Sequence, residues 1–182
     1  LAVKSQDTAG VVADLVTIAP EGLAVVSMQN GLENERMLLR HFADVYGVCV
    51  MFPATHVEPG VVQANSTPIE ALLDLGRYPV GTDVTAEAIS AAFGEGPFVS
   101  EVRPDIVRWK AAKLLLNLAN AVDAVCGLEG AGAELYTRAA DEGRRCLDAA
   151  GIPYASDEED AERRGDLLHM RRINGEKRVG SS

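Results

Sequence analysis

Residues 23–52 read LAVVSMQNGLENERMLLRHFADVYGVCVMF. The run LAVVSMQ (23–29) is apolar and β-branched, as a strand buried on both faces is. GLENERMLLRHF (31–42) follows with helical spacing, and YGVCVMF (46–52) is a second buried strand. Upstream, LAVK (1–4) reads as the end of a strand. DTAGVVADLVTIA (7–19) then places Val11, Val12, Leu15 and Ile18 on one helical stripe, with Asp7 as the expected N-cap and Pro20 as the stop. Strand, helix, strand, helix, strand is the order of a doubly wound sheet, in which ligands bind at the edge beyond the strand ends.

Downstream, GVVQAN (60–65) and IEALLDLG (69–76) are expected to pair as a hairpin or meander. TAEAISAAFG (85–94) reads as a helix and FVSEV (98–102) as a short strand. The strands without intervening helices predict an antiparallel finish to the sheet. The second half is helical. DIVRWKAAKLLLNLANAVDAVCG (105–127) is a long apolar helix with Gly127 as its C-cap, expected to be buried nearly all round. GAELYTRAADEGRRCLDAAG (132–151) is an amphipathic helix stopped by Gly151 and Pro153, and SDEEDAERRGDLLHM (156–170) is a charge-rich helix or loop. The predicted class is α/β: a partial Rossmann-like doubly wound sheet over 1–102, followed by an α-helical domain over 103–182.

Composition narrows the function. The 182 residues are 47% hydrophobic and 24% charged, ordinary for a globular protein of one large or two small domains. No apolar run reaches the length of a membrane span. The formal charge of -10 disfavours non-specific binding to nucleic acid or anionic membrane. The basic residues crowd into the second half, which supports a boundary near residue 100. Cys49, Cys126 and Cys146 form an odd, widely spaced set with no CxxC, so neither a disulfide framework nor a zinc cluster is expected; Cys126 and Cys146 read as buried small hydrophobes. His41, His56 and His169 are isolated, and no metal site is expected. Trp109 reads as a packing anchor between the two halves. The chain starts at Leu1 inside a strand-like run and stops at VGSS, and reads as an internal stretch of a longer protein; the alternative is a chain trimmed only of disordered ends.

The chemistry concentrates in the helix 105–127. Lys113, Asn117 and Asn120 fall at i, i+4 and i+7 and share one face, with Lys110 a turn earlier. Burying an ammonium and two amides costs several kcal/mol without partners. Either they bond across to neighbouring elements, with Lys113 snorkelling, or they line a wet cleft. Such a cleft suits a small anionic carbonyl compound, with a partly buried Lys as general acid and amides to orient the substrate. MQNGLEN (28–34) puts Asn30-Gly31 between a strand and a helix, either a plain turn or a place to hold an anion or a cofactor group. Lys4 lies at a strand end, on the surface or over the sheet edge.

The order LAVKSQDT, VVSMQNGLEN, WKAAKLLLNLANAV resembles the ketopantoate reductase (2-dehydropantoate 2-reductase) family across most of residues 1–150. The resemblance implies an NADPH-dependent reductase of 2-dehydropantoate, cytoplasmic and homodimeric, serving pantothenate and coenzyme A synthesis. Its partner is a small 2-keto acid. It implies that Lys113 protonates the ketone oxygen as hydride arrives and that Asn117 orients the substrate. Asn120 lies one residue before the place of a second family Asn, where this chain has Ala121. Asn30 and Lys4 would lie near the cofactor, and Ser182 would contact the substrate carboxylate. Residues 1–102 would be the later part of the NADP-binding domain, and 103–182 the first part of the substrate domain. No G-x-G-x-x-G fingerprint occurs in the chain. The alternatives are a family paralogue acting on another 2-keto acid, and a fragment without catalysis.

Overall fold

The computed structural model describes residues 1–170. A short 3-10 turn, Ser5–Asp7, leads into α1 (Thr8–Ile18), β1 (Val25–Ser27), α2 (Asn34–Leu38) and β2 (Val45–Met51). Then come β3 (Ala54–Thr55), β4 (Gln63–Ala64), β5 (Ser66–Pro68), β6 (Ala71–Arg77), α3 (Val84–Gly94) and β7 (Phe98–Val99). The last elements are α4 (Ile106–Cys126), α5 (Ala131–Ala149), α6 (Asp157–Arg164) and β8 (Leu168–Met170). The central sheet has the order β1-β2-β6-β7. β1 runs parallel to β2, β6 antiparallel to β2 from Tyr46 opposite Arg77 to Met51 opposite Leu72, and β7 parallel to β6. The mixed sheet with helices on both faces bears out the α/β class.

β2 organises the packing because both its faces are covered. Tyr46 and Val48 point to one side and meet Leu73, Leu75 and Ala86, with Ile89 and Phe93 of α3 around them. On the other side Val45 packs with Val12 of α1, Leu38 of α2 and Phe42. Further along that side Cys49 packs with Ile106, Trp109 and Ala112 of α4. The period-two alternation of a strand thus sends successive residues of VYGVCVM to different helices. β1 gains a neighbour at its other edge, where the Leu1 ammonium donates to Val26 O (2.6 Å) and Met28 N donates to Leu1 O (2.8 Å).

Several expectations need correction. The strands around residues 60–76 do not pair with one another: β4 pairs with β3, and β6 pairs with β2. The central sheet recruits Ala71–Arg77 because its residues are buried on both faces, which a peripheral hairpin would not provide. The helix expected over 31–42 is only Asn34–Leu38, since Gly31 adopts a positive φ of 86° and the chain turns before it winds. Asp7 makes no side-chain cap; it already has helical φ and ψ within the 3-10 turn. α4 is not buried all round: its buried residues run from Ile106 to Leu115 with Val122 beyond, and Val125 is 86% exposed. Cys126 and Cys146 are exposed, one at that protruding end and the other on the outer side of α5.

The helical half is clamped to the sheet by one carboxylate. Asp74 on β6 is buried and accepts from Arg163 Nε (2.7 Å) and Nη2 (2.6 Å), from Arg103 Nε (3.1 Å) and from the Glu101 amide (2.9 Å). Next to it, Gly76 permits the close approach of the strand leading to α4, since a Cβ there would lie 1.9 Å from Arg103 O. Ser156 caps α6 through a reciprocal capping box with Glu159. Asp74→Ala leaves two guanidinium groups without their buried partner. It should destabilise the protein by about 3–5 kcal/mol. Urea unfolding followed by circular dichroism checks this, and an unchanged midpoint would show that Asp74 does not hold the halves together.

Candidate active site

The turn after β1 is held by buried amides. Gln29 is buried, and its Nε2 donates to Val3 O and to Thr8 Oγ1, both at 2.8 Å. Asn34 is buried as well. Its Oδ1 accepts from Thr8 Oγ1 (2.9 Å), and its Nδ2 donates to Asn30 O (3.0 Å) and Ser5 Oγ (3.1 Å). The buried side-chain amides of the turn are therefore matched by Val3, Ser5 and Thr8 of the N-terminal segment and by the Asn30 carbonyl. The Asn30 side chain is not used there and points outward, exposed.

α4 meets it from the other side. Lys113 Nζ donates to Asn30 Oδ1 at 2.7 Å and approaches Asn117 Oδ1 at 3.4 Å. Two segments eighty residues apart in sequence thus share one hydrogen-bonded group. Both lie at the rim of a cleft of about 290 Å³. One wall is Lys113, Leu116, Asn117 and Asn120 of α4; the floor is Val50 to Pro53 at the end of β2; the far wall is Arg164, Leu168 and Met170. The structure therefore brings Asn30, Lys113, Asn117 and Asn120 together. Lys4 is exposed beside the 3-10 turn and does not line the cleft. Ser182 lies outside the described residues.

Two further polar residues at or beneath the site, Arg164 and Glu35, the partner of Lys110, escaped the sequence reading. Arg164 directs Nε and Nη2 at Asp160 Oδ2 (2.7 and 2.6 Å) and also lines the cleft. Its signal in the sequence was only a charged helix end. Lys110 is buried, with Nζ 2.6 Å from Glu35 Oε1 on α2, and it donates to Gln29 O (2.7 Å) and Val48 O (3.2 Å). Nothing in a single sequence pairs residues 35 and 110, because the contact is made only when α2 and α4 lie on the same face of β2. Among the described residues no group of His, Cys, Asp and Glu is arranged to hold a metal.

The family model for ketopantoate reductase PanE/ApbA matches residues 1–76. A 2-dehydropantoate 2-reductase of Halobacterium salinarum is 31% identical over 163 residues, covering 82% of this chain and 52% of that protein. A solved 2-dehydropantoate 2-reductase of Methylococcus capsulatus superposes with a TM-score of 0.72 at 22% identity, over 96% of this chain and 59% of that one. A D-mandelate dehydrogenase solved with NADH superposes equally well, with a TM-score of 0.72 at 15% identity, over 88% and 56%. The chain spans about half the length of the curated relative. It is a relative of the ketopantoate reductases, as its three motifs indicated.

Cys49 lies under this site, and burial pushes its thiol from 9.0 up to about 12. The raised value favours the protonated form in the folded state. Its contribution to stability is full below about pH 9 and is lost as pH rises towards 12. In the native protein at pH 8, a thiol-disulfide reagent should titrate two cysteines quickly, Cys126 and Cys146, and the third only after unfolding. Rapid reaction of all three would contradict the packing of Cys49 under α4.

Proposed function

We propose that this relative of the ketopantoate reductases takes part in the NADPH-dependent reduction of 2-dehydropantoate to pantoate, a step towards pantothenate and coenzyme A. The observation that carries the reading is the Lys113 Nζ–Asn30 Oδ1 bond of 2.7 Å at the rim of a cleft that also holds Asn117 and Asn120. It joins the turn assigned to the cofactor with the helix assigned to the substrate.

The residues fit one end of a nicotinamide cofactor. A cleft of about 290 Å³ has room for a nicotinamide ring or a small acid at the site, and not for a whole dinucleotide. The exposed Asn30 amide, unused by its own turn, is placed to meet the nicotinamide ribose or ring. Lys4 is assigned the outer part of the cofactor, since the carbonyl of neighbouring Val3 is tied to Gln29. When bound, NADPH supplies the hydride.

Lys113 does the acid–base work in this reading. Negative charge develops on the keto oxygen as the carbonyl carbon is reduced, and the Lys113 ammonium stabilises it and passes on a proton from Nζ. Asn117 holds the same Nζ from the adjacent turn and orients the substrate hydroxyl or carboxylate. Asn120 lines the cleft one further turn along. Arg164 anchors the carboxylate: Asp160 occupies one edge of its guanidinium, and the other edge can take a carboxylate in two parallel hydrogen bonds. This adds a cation to the role first assigned to Ser182. We place the division between cofactor and substrate parts near residue 102, a homodimer as the working form and the cytoplasm as its location. No helix among the described residues is long and apolar enough to cross a membrane.

A second reading is reduction of a different 2-keto acid. The cleft carries Phe52, Leu168 and Met170, and Ala121 stands where the family pattern places a second Asn. A D-mandelate dehydrogenase with the same fold has been solved with NADH and anilino(oxo)acetate, an aromatic oxo acid. Both readings are tested by NADPH and NADH oxidation with 2-dehydropantoate and with aliphatic and aryl 2-oxo acids. Lys113→Ala should lower kcat by about 10²–10⁴-fold. A near-normal rate in that variant removes Lys113 from the mechanism, and preference for an aryl oxo acid favours the second reading.

A further inference from the structure

We infer that the buried Lys110–Glu35 pair is a positioning device, which holds the Asn30 turn where its side chain can meet Lys113. The inference rests on the reading of Lys113 and Asn30 given above.

Lys110 and Glu35 are almost wholly buried, at 5% and 1% exposure. Lys110 Nζ has three protons, and three acceptors surround it: Glu35 Oε1, Gln29 O and Val48 O. These acceptors belong to α2, to the residue before Asn30, and to β2. The ammonium thus ties the turn, the strand and α4 together at a single point. Gly47 of β2 makes room for the carboxylate, since a Cβ there would lie 3.2 Å from Glu35 Oε1. Glu35 Oε1 meets Lys110 as an ion pair at 2.6 Å, and among the described residues neither Glu35 oxygen has an aligned hydrogen-bond donor.

The consequence for the cleft is geometric. Lys110 and Lys113 lie on adjacent turns of one helix, and each reaches one residue of the Gln29–Asn30 pair. Lys110 grips the backbone at Gln29 O. Lys113 then meets the side chain of the next residue at 2.7 Å. Without the first contact, the turn is still held to α1 and the 3-10 turn by Gln29 and Asn34, but it loses its backbone link to α4 and keeps only the exposed side-chain bond from Lys113. A buried ion pair is a poor way to gain stability, since an apolar pair of similar volume usually serves as well or better. What apolar side chains cannot replace is the directed bond to Gln29 O.

That difference defines the experiment. Lys110→Met alone should unfold at lower temperature, because Glu35 is left charged and buried. The double variant Lys110→Met, Glu35→Leu should regain most of the lost stability. If the pair positions the turn, kcat for the 2-oxo acid stays at least about 10-fold down in the double variant. The Lys113 limb of the pH–rate profile also moves, since the contact between Nζ and Asn30 is disturbed. Amide hydrogen exchange at Asn30 and Gly31 becomes faster by about 10-fold or more, in a measurement that needs no turnover. If kcat, the pH profile and the exchange all return with stability, the pair is structural only and the inference falls. Lys110→Met combined with Glu35→Gln, which also removes the bond to Gln29 O and leaves no buried carboxylate, gives the same exchange readout should the first double variant not fold. A protein that reduces no 2-oxo acid overturns the functional reading, while exchange at Asn30 and Gly31 still decides the inference.

Discussion

A single buried ammonium, that of Lys110, sits where the turn after β1, the middle of β2, α2 and α4 converge. An isolated charge in such a place would cost several kcal/mol even after relaxation. The chain meets that cost by lining the seam with one carboxylate and two carbonyl oxygens. Everything at the cleft is built outward from this point: the register of α4 on β2, the direction of the turn, and the face that Lys113 and Asn117 present. The two lysines lie a turn apart but have different company. Lys110 is held by a carboxylate, whereas the hydrogen bonds described for Lys113 go to amide oxygens. Lys110 is sealed in the seam, whereas Lys113 reaches the cleft, which is why the proposed acid–base role is given to Lys113 and the positioning role to its neighbour.

The sheet makes this arrangement possible through the alternation of β2. Tyr46 and Val48 commit one face to α3, so Val45, Gly47 and Cys49 are left to receive α1, α2 and α4 in succession. α2 and α4 must then abut, with Gly47 between strand and helix at the point of contact. A side chain at Gly47 would push against Glu35, and one at Gly76 would drive the Arg103 segment away from the sheet. The Asp74 cluster with Arg163 and Arg103 fixes α6 on the same side. It thereby brings Arg164 to the far wall of the cleft.

Local patterns carried much of this in advance. The apolar, β-branched runs at 23–29 and 46–52 mark both strands, and the stripe of α1 and the long span of α4 follow from period alone. The shared face of Lys113, Asn117 and Asn120 is a matter of helical spacing, and all three do line the cleft. What the sequence could not express is partnership across distance. Residues 69–76 looked like half of a local hairpin because their neighbours in sequence were also strand-like; β2 outcompeted them by offering a fully buried edge. Glu35 carried no signal of its own within the helix expected over 31–42. Cys126 and Cys146 read as core because cysteine is usually buried, yet both are exposed.

The cleft can also be weighed as an electrostatic object. Arg164 is paired with Asp160 and Lys110 with Glu35. Lys113 hydrogen-bonds to the amide oxygens of Asn30 and Asn117. A chain of net charge -10 thus sets two cationic side chains, Lys113 and Arg164, on facing walls of one cleft. In the function proposed above, a small anion entering there meets both. For a 2-keto acid, whose carboxylate and keto oxygen sit on adjacent carbons, the proposed function assigns the carboxylate to Arg164 and the keto oxygen to Lys113. It is the arrangement a proton donor to the developing alkoxide requires.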